Sequence, residues 1–229
     1  MARTSFLRRL GTVLLGLALA FGMAAPASAA PSWNLVSGQL ITNGSARCTL
    51  GFNVHAGTSR YILVAGHCLG SGGTWSGAGG VIGPEAGSSF PGNDFGLISV
   101  SSAAALSTAL VDRYSAGADA TIIGVKNPAP GMSVCSSNPI TGWHCGTITA
   151  INQTVCYAEG CVTGLARSNL CSEAGASGSP VVTNPGSGTT VYAVGLSSGG
   201  SGNCTSGGTT YIQPVTEPLS VYGLTMYTG

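Results

Sequence analysis

Beyond residue 30, short apolar runs alternate with clusters of Gly, Ser, Asn and Pro. Cys48-Thr49-Leu50-Gly51-Phe52-Asn53-Val54 alternates in part, and Tyr61-Ile62-Leu63-Val64-Ala65 is a continuous apolar run of the kind a buried strand shows. Residues 95–100 and 121–125 follow, then 146–151, 181–182, 191–196 and 209–212. Short strands separated by turn residues predict an all-β sandwich or barrels. Helix is expected only at 103–110 and in a C-terminal turn opening at Glu217-Pro218, where Pro suits an early helical position. A composition change over 115–120 marks a junction between two halves, 31–116 and 117–229.

The first thirty residues follow a different pattern. Arg3, Arg8 and Arg9 precede an apolar stretch over 10–25, and Ala27-Ser28-Ala29 is a small-residue cleavage pattern. Residues 1–30 read as a secretory signal peptide cut after Ala29 or Ala30. The apolar stretch is short for a membrane anchor, so no membrane association is expected once it is removed. What remains carries five basic residues (Arg47, Arg60, Arg113, Lys126, Arg167) against all seven acids. Such a chain offers no basic face to a nucleic acid. With 44% hydrophobic residues and scarce charge it is no candidate for disorder, and its 37 Gly disfavour a helical bundle. All eight Cys lie past the signal, at 48, 68, 135, 145, 156, 161, 171 and 204. An even count in an exported chain predicts four disulfides, with about 105 connectivities open on spacing. Zinc would require paired ligand clusters, which the lone Cys156/Cys161 spacing and scattered His do not supply.

Three segments carry the chemistry. His67 ends an apolar strand in Val64-Ala65-Gly66-His67-Cys68, so the strand delivers it to a rim and the adjacent Cys can staple it, the fixed placement a general base needs. Asp94 opens the apolar strand Asn93-Asp94-Phe95-Gly96-Leu97-Ile98; a part-buried carboxylate there needs a partner, and a His would serve. In Gly175-Ala176-Ser177-Gly178-Ser179-Pro180, flanking glycines let the backbone turn sharply, present a hydroxyl and aim neighbouring N–H groups at one spot. The G-x-S-x-G elbow of α/β-hydrolases is absent from this segment, and the order His67, Asp94, Ser177 is that of chymotrypsin.

From about Leu35 onward the chain resembles the streptogrisin and α-lytic protease family of secreted bacterial serine proteases. The resemblance rests on Arg47-Cys48-Thr49-Leu50-Gly51-Phe52-Asn53-Val54, Ala65-Gly66-His67-Cys68, Ser88-Ser89-Phe90-Pro91-Gly92-Asn93-Asp94-Phe95-Gly96, residues 171–179 and Ser197-Ser198-Gly199-Gly200-Ser201-Gly202-Asn203-Cys204. Gly207-Gly208-Thr209-Thr210 and Gln213-Pro214-Val215-Thr216-Glu217 complete it. It implies two six-stranded antiparallel β-barrels of the chymotrypsin type with a short C-terminal helix. The barrel over 31–116 would carry His67 and Asp94, and that over 117–229 Ser177 and the specificity pocket. His67 would be the general base, Asp94 its orienting carboxylate and Ser177 the nucleophile, with the N–H groups of Gly175 and Ser177 as oxyanion hole. Ser172, Ser197, Ser198, Gly199, Gly200 and Thr210 would bind substrate, Gly200 pairing it as an added strand. The family bridges suggest Cys48–Cys68 and Cys171–Cys204; Cys135–Cys145 resembles the third bridge of the α-lytic branch, which leaves Cys156–Cys161 as the fourth. The resemblance implies protein or peptide substrates, protein inhibitors as further partners, a monomer, and no cofactor or metal.

The matched pocket wall is small and neutral, with no acid at the floor position that selects Lys or Arg. Ser172 is shared with glutamate-selective relatives, but no His lies in 197–200 as it would in them. No Met narrows the pocket as in the α-lytic branch, so a roomy apolar pocket for Phe, Tyr, Leu or Met is expected. Two departures stand out. Ala176 replaces the family Asp before the nucleophile, and Ser136 falls where that Asp's buried Arg partner would stand. Losing both is coherent, since stranding either charge costs ~3–5 kcal/mol whereas replacing the pair can be neutral. Relatives also carry a long pro-region where only about five residues separate Ala30 from Leu35, so folding without a pro-segment is expected. The leading reading is a secreted serine endopeptidase. A catalytically idle homologue acting as a binding protein is the alternative, and a lectin-like or wall-binding β-domain a third reading.

Overall fold

The apolar runs become strands wherever a neighbouring strand receives their backbone groups. The computed structural model describes Met1 and residues 31–229; the signal peptide read at 1–30 lies outside the described residues. The strands are β1 (Trp33–Ser37), β2 (Leu40–Thr42), β3 (Arg47–Thr49), β4 (Phe52–Ala56), β5 (Ser59–Val64), β6 (Thr74–Gly77), β7 (Gly80–Ser89), β8 (Phe95–Ser99) and β9 (Ala105–Val111), then β10 (Ala120–Val125), β11 (Ser133–Asn138), β12 (Gly142–Tyr157), β13 (Gly160–Ser168), β14 (Pro180–Thr183), β15 (Thr190–Asn203) and β16 (Gly207–Pro214). Helix α1 (Thr216–Tyr222) and β17 (Thr225–Met226) close the chain. No helix among the described residues is long and apolar enough to cross a membrane.

The first sheet runs β17-β4-β5-β8-β7-β6-β2-β3. Strands β3 and β4 stand apart in that row, yet only Leu50-Gly51 separates them in the chain, so the sheet turns back on itself through this corner. Gly51 permits the corner: a Cβ there would lie 2.3 Å from the Leu196 side chain and 2.5 Å from the Leu63 carbonyl oxygen. The second sheet contains the row β15-β14-β11-β12-β13-β16, and β16 pairs back onto β15, closing an antiparallel ring of six strands. Two parallel pairings lie outside the expected antiparallel pattern: β10 flanks β15, and β1 flanks β9, which itself pairs antiparallel with β10. Strands β1 and β9, both before residue 117, are therefore hydrogen-bonded into the second sheet, while β17 at the C-terminus joins the first through β4.

Three apolar clusters fill the structure. One comes from the first sheet (Ile41, Leu50, Ile62, Trp75, Ile82, Ile98) and one from the ring (Val134, Ile148, Leu170, Val181, Val194, Ile212). The third joins both, with Phe52, Leu63 and Phe95 packed with Ile122, Val182, Val191, Leu196 and Val215. Every one of these side chains is essentially inaccessible to solvent.

Residues 103–110 do not form the expected helix. Residues 105–110 lie in strand β9, because β1 and β10 occupy both of its edges and the Thr108 hydroxyl donates to the Leu35 carbonyl at 2.7 Å. Ladder partners on both sides override the helical bias of the alanines. Helix α1 begins at Thr216, with Glu217 in its first turn and Pro218 third. It ends at Gly223, whose φ of +61° places it in the left-handed cap conformation. Buried Asn53 locks the interlaced strands together: its Nδ2 donates to the carbonyls of Leu35 (2.8 Å) and Thr108 (3.1 Å). Asn53→Ala leaves both carbonyls without that donor and opens a void, so it should destabilise the fold by about 2–4 kcal/mol. Urea unfolding should show a lower midpoint with an unchanged denaturant slope.

Candidate active site

Strand β5 ends in the buried run Ile62-Leu63-Val64-Ala65, and the chain then makes a single 3-10 turn, Gly66–Cys68. This turn sets His67 at the rim, held by the Cys48–Cys68 disulfide. Gly66 lets the turn lie against β8 and the end of β7: a Cβ would stand 2.8 Å from the Phe95 carbonyl oxygen and 2.9 Å from that of Ser89.

Asp94 precedes β8 and is fully buried. Its Oδ1 accepts the His67 backbone N–H at 2.9 Å, and His67 Nδ1 lies 3.0 Å from Oδ1 and 2.8 Å from Oδ2. The Ser198 hydroxyl donates to Oδ2 at 2.6 Å. A buried carboxylate requires such donors, and this one assigns the Nδ1–H tautomer to His67, leaving Nε2 as the free base. The Asp94 N–H donates to Gln213 Oε1 (2.9 Å), and Gln213 Nε2 donates to Glu217 Oε2 (2.7 Å), connecting α1 to the site.

Ser177 comes from the loop before β14. The Thr49 N–H donates to the Ser177 carbonyl and the Gly178 N–H to that of Ser197, both at 2.9 Å, while the Ala176 N–H donates to Glu173 at 3.1 Å. Gly175 and Gly178 have φ of +93° and +80°, and a Cβ on Gly178 would stand 2.8 Å from the Thr49 oxygen. The N–H groups of Gly175 and Ser177 have no acceptor among the described residues, and both residues line a cavity of about 270 Å³. Its other wall is 197–200. A neighbouring cavity of about 230 Å³ is lined by His67, Phe90, Tyr157, Glu159 and Ser198. Ser198 lines both, so the cavity lined by Ser177 adjoins the one lined by His67, with Asp94 buried behind the ring. Neither the Ser177 hydroxyl nor His67 Nε2 has a hydrogen-bond partner among the described residues, each other included.

Small groups brace the loop from behind. Thr210 is buried, and its hydroxyl donates to the carbonyls of Leu170 (3.0 Å) and Cys171 (3.3 Å). The Cys171–Cys204 bridge spans the loop, and Glu173 Oε1 accepts the Cys204 N–H at 2.9 Å. The other bridges are Cys135–Cys145 and Cys156–Cys161. Ala176 and Ser136 are both buried, and His67–Asp94 is the only ion pair among the described residues, so no charged pair supports the loop. His144 contributes instead: its Nε2 donates to the Cys171 carbonyl (3.2 Å), and its Nδ1 accepts from Thr141, which accepts from Asn138 Nδ2. His144 lies close to the sulfurs of Cys171 and Cys204, but these are bonded to each other, so the group offers an ion a single ligand.

No protein-family model matches the chain. It is 45% identical over 172 residues to serine protease 2 of Streptomyces fradiae, covering 94% of that protein and 73% of this chain. It is 44% identical over 188 residues to streptogrisin-C of Streptomyces griseus, covering 39% of that protein and 82% of this chain. The chain belongs to the streptogrisin family of bacterial serine proteases. Among solved structures, Thermobifida fusca protease A matches with a TM-score of 0.77 at 42% identity, over 86% of this chain and all of that one. Nocardiopsis protease matches with 0.78 at 40%, with the same coverage. The chain spans 39–61% of the length of streptogrisins C, D and A.

Within this streptogrisin-type site, sequence reasoning missed Gln213, Phe90, Tyr157 and Glu159. Gln213 had one available signal, a polar residue following the apolar run Tyr211-Ile212; the others meet His67 only through folding. Burial lowers the His144 value below its ordinary 6.5 despite the opposing hydrogen bonds to backbone carbonyls. The unfolded chain then binds this proton more readily than the folded one, so the stabilising contribution of neutral His144 is complete above about pH 6.5 and fades as pH falls through the folded value. The urea midpoint should drop on acidification below about pH 6.5 by less in His144→Gln than in the parent.

Proposed function

We propose that this chain is a secreted serine endopeptidase acting through an acyl-enzyme, with His67, Asp94 and Ser177 as its catalytic triad. The observation that carries the proposal is the buried Asp94 carboxylate holding the His67 ring at 2.8 Å beside the cleft that Ser177 lines. As Ser177 Oγ attacks the scissile carbonyl carbon, His67 Nε2 takes its proton, and the Ser177–His67 hydrogen bond forms in the substrate complex. The carbonyl oxygen becomes an oxyanion that receives the N–H groups of Gly175 and Ser177. His67, positively charged beside Asp94, then passes the proton to the leaving amine. Water, deprotonated by the same imidazole, attacks the acyl-enzyme and frees Ser177. In this reading 31–116 supplies His67 and Asp94, and 117–229 supplies Ser177 and the pocket.

The substrate strand has a place to bind. Strand β14 accompanies β15 only to Leu196, while β16 accompanies it to Asn203. The remaining edge at 198–200 has no strand neighbour among the described residues, which suits an added peptide strand. Gly200 lies close against Ser172: a Cβ on Gly200 would stand 2.6 Å from Ser172 Cβ. Among the described residues, Glu173 is the only charged residue lining the cavity, and its carboxylate is turned to the Cys204 N–H. These features support Phe, Tyr, Leu or Met in the pocket. A Cellulomonas bogoriensis chymotrypsin is 42% identical with a TM-score of 0.75. Glutamyl endopeptidase 2 of Streptomyces griseus is 36% identical over 195 residues, and a solved glutamic acid specific protease uses a histidine triad in substrate binding. Here no His lines the cavity, and Glu173 disfavours an acidic guest. Secretion is supported by the signal reading and the four disulfides.

A fluorophosphonate should label the purified protein and leave Ser177→Ala unlabelled; an unlabelled parent would make the chain an idle homologue. Asp94→Asn should lower kcat on the order of 10⁴-fold. Ser198→Ala removes a donor to the buried carboxylate and should lower kcat/KM roughly tenfold or more. A peptide panel should favour Phe or Leu at the scissile position, and a tenfold preference for Arg or Glu would refute the pocket assignment.

A further inference from the structure

We propose that Glu159, at the hairpin tip between β12 and β13, selects Lys or Arg at the residue just before the scissile one. The inference rests on the cleft being the proteolytic site proposed above. Side chains of an extended peptide alternate in direction. If one occupies the cavity between 172–177 and 197–200, its neighbour turns to the opposite side of the added strand. Across Ser198, which lines both cavities, that side opens on His67, Phe90, Tyr157 and Glu159.

The chemistry of this second cavity is uneven. Its inner part is aromatic: the Phe90 ring lies 5.8 Å from both the His67 and the Tyr157 rings. Tyr157 is held in place by its hydroxyl, 3.3 Å from Ser198 Oγ. Glu159 brings a carboxylate to the same cavity, and no Lys or Arg among the described residues is ion-paired with it. A guest with an apolar stem and a cationic head satisfies both parts, its methylenes lying on the rings and its charge reaching Glu159. A Glu at this position would meet a like charge.

Glu159 is exposed, and such a glutamate on a mobile loop would discriminate weakly, but the backbone of this tip is fixed. Cys156 and Cys161 face each other across the hairpin and are bridged, closing Tyr157-Ala158-Glu159-Gly160 into a small loop. Gly92, in the segment leading to Asp94, donates to the Cys161 carbonyl and accepts the Thr163 N–H, each at 3.0 Å. Gly160 lies so close to Pro91 that a Cβ would stand 2.8 Å from its ring. The carboxylate is thus presented on an anchored scaffold, which limits the ordering cost of binding.

The test uses peptides with Phe at the scissile position preceded by Arg, Gln or Glu. For the parent enzyme kcat/KM should be about fivefold higher with Arg than with Gln, lower still with Glu, and the ratio should shrink at high salt. Glu159→Gln should bring the Arg/Gln ratio close to one, and Glu159→Arg should turn the preference toward Glu. Binding of the same peptides to full-length Ser177→Ala, followed by fluorescence anisotropy, should show the same order without turnover. Equal values for Arg and Gln peptides in the parent, or an Arg/Gln ratio unchanged in Glu159→Gln, would overturn this inference while leaving the protease reading intact. Loss of fluorophosphonate labelling and of turnover would overturn the protease reading, and the binding ratios would still decide the role of Glu159.

Discussion

Asp94 is a carboxylate with no solvent around it, and the arrangement of the cleft follows from satisfying it. Its donors come from distant parts of the chain: the His67 backbone and ring, and the Ser198 hydroxyl. Its own N–H is received by Gln213 on the last long strand. Removing any one partner exposes a buried charge to an apolar surrounding, which is a cost of several kcal/mol rather than the modest net value of one surface hydrogen bond. The same contacts that make Asp94 tolerable inside the protein also orient the imidazole, so stability and chemistry have a common source here.

The loop bearing Ser177 is supported differently. Where the family places a buried charge pair, this chain has two small buried residues, Ala176 and Ser136. The brace comes from neutral groups: the Cys171–Cys204 bridge, the Thr210 hydroxyl and the relay from Asn138 through Thr141 and His144 to the Cys171 carbonyl. A neutral network avoids the desolvation of two ions and needs correct hydrogen-bond direction instead.

Most of the β architecture could be read from the chain because its apolar runs are short and bounded by turn residues. The runs at 61–65, 95–100 and 191–196 all became core strands. Strands β1, β2, β6, β7, β11, β13 and β17 escaped notice: Gly, Ser and polar residues dominate β6, β7 and β11, Gly and polar residues interrupt the apolar ones of β13, and β1, β2 and β17 are short. The alanines at 103–105 favoured a helix on local grounds, and only the edges offered by β1 and β10 decide otherwise. Within the site, His67 sits in a distinctive local setting, while Asp94 and Ser177 gain weight from their order along the chain with it. The hydroxyl contacts of Thr210 with Leu170 and Cys171 were not legible, since the pattern along β16 does not reveal which neighbour that hydroxyl will meet. Tyr157 and Glu159 gave no local sign, as their meaning depends on where the hairpin docks.

The exchange of edge strands bears on how a guest enters. Strands β1 and β9 are woven into the second sheet and β17 into the first, with a shared apolar cluster between them. Two bodies stitched in this way have no free swivel, so the trough between them is ready-made. Under the proposed function, a polypeptide would have to unravel locally to lie in it, which would direct the enzyme toward loose, extended stretches of its targets and away from their folded cores.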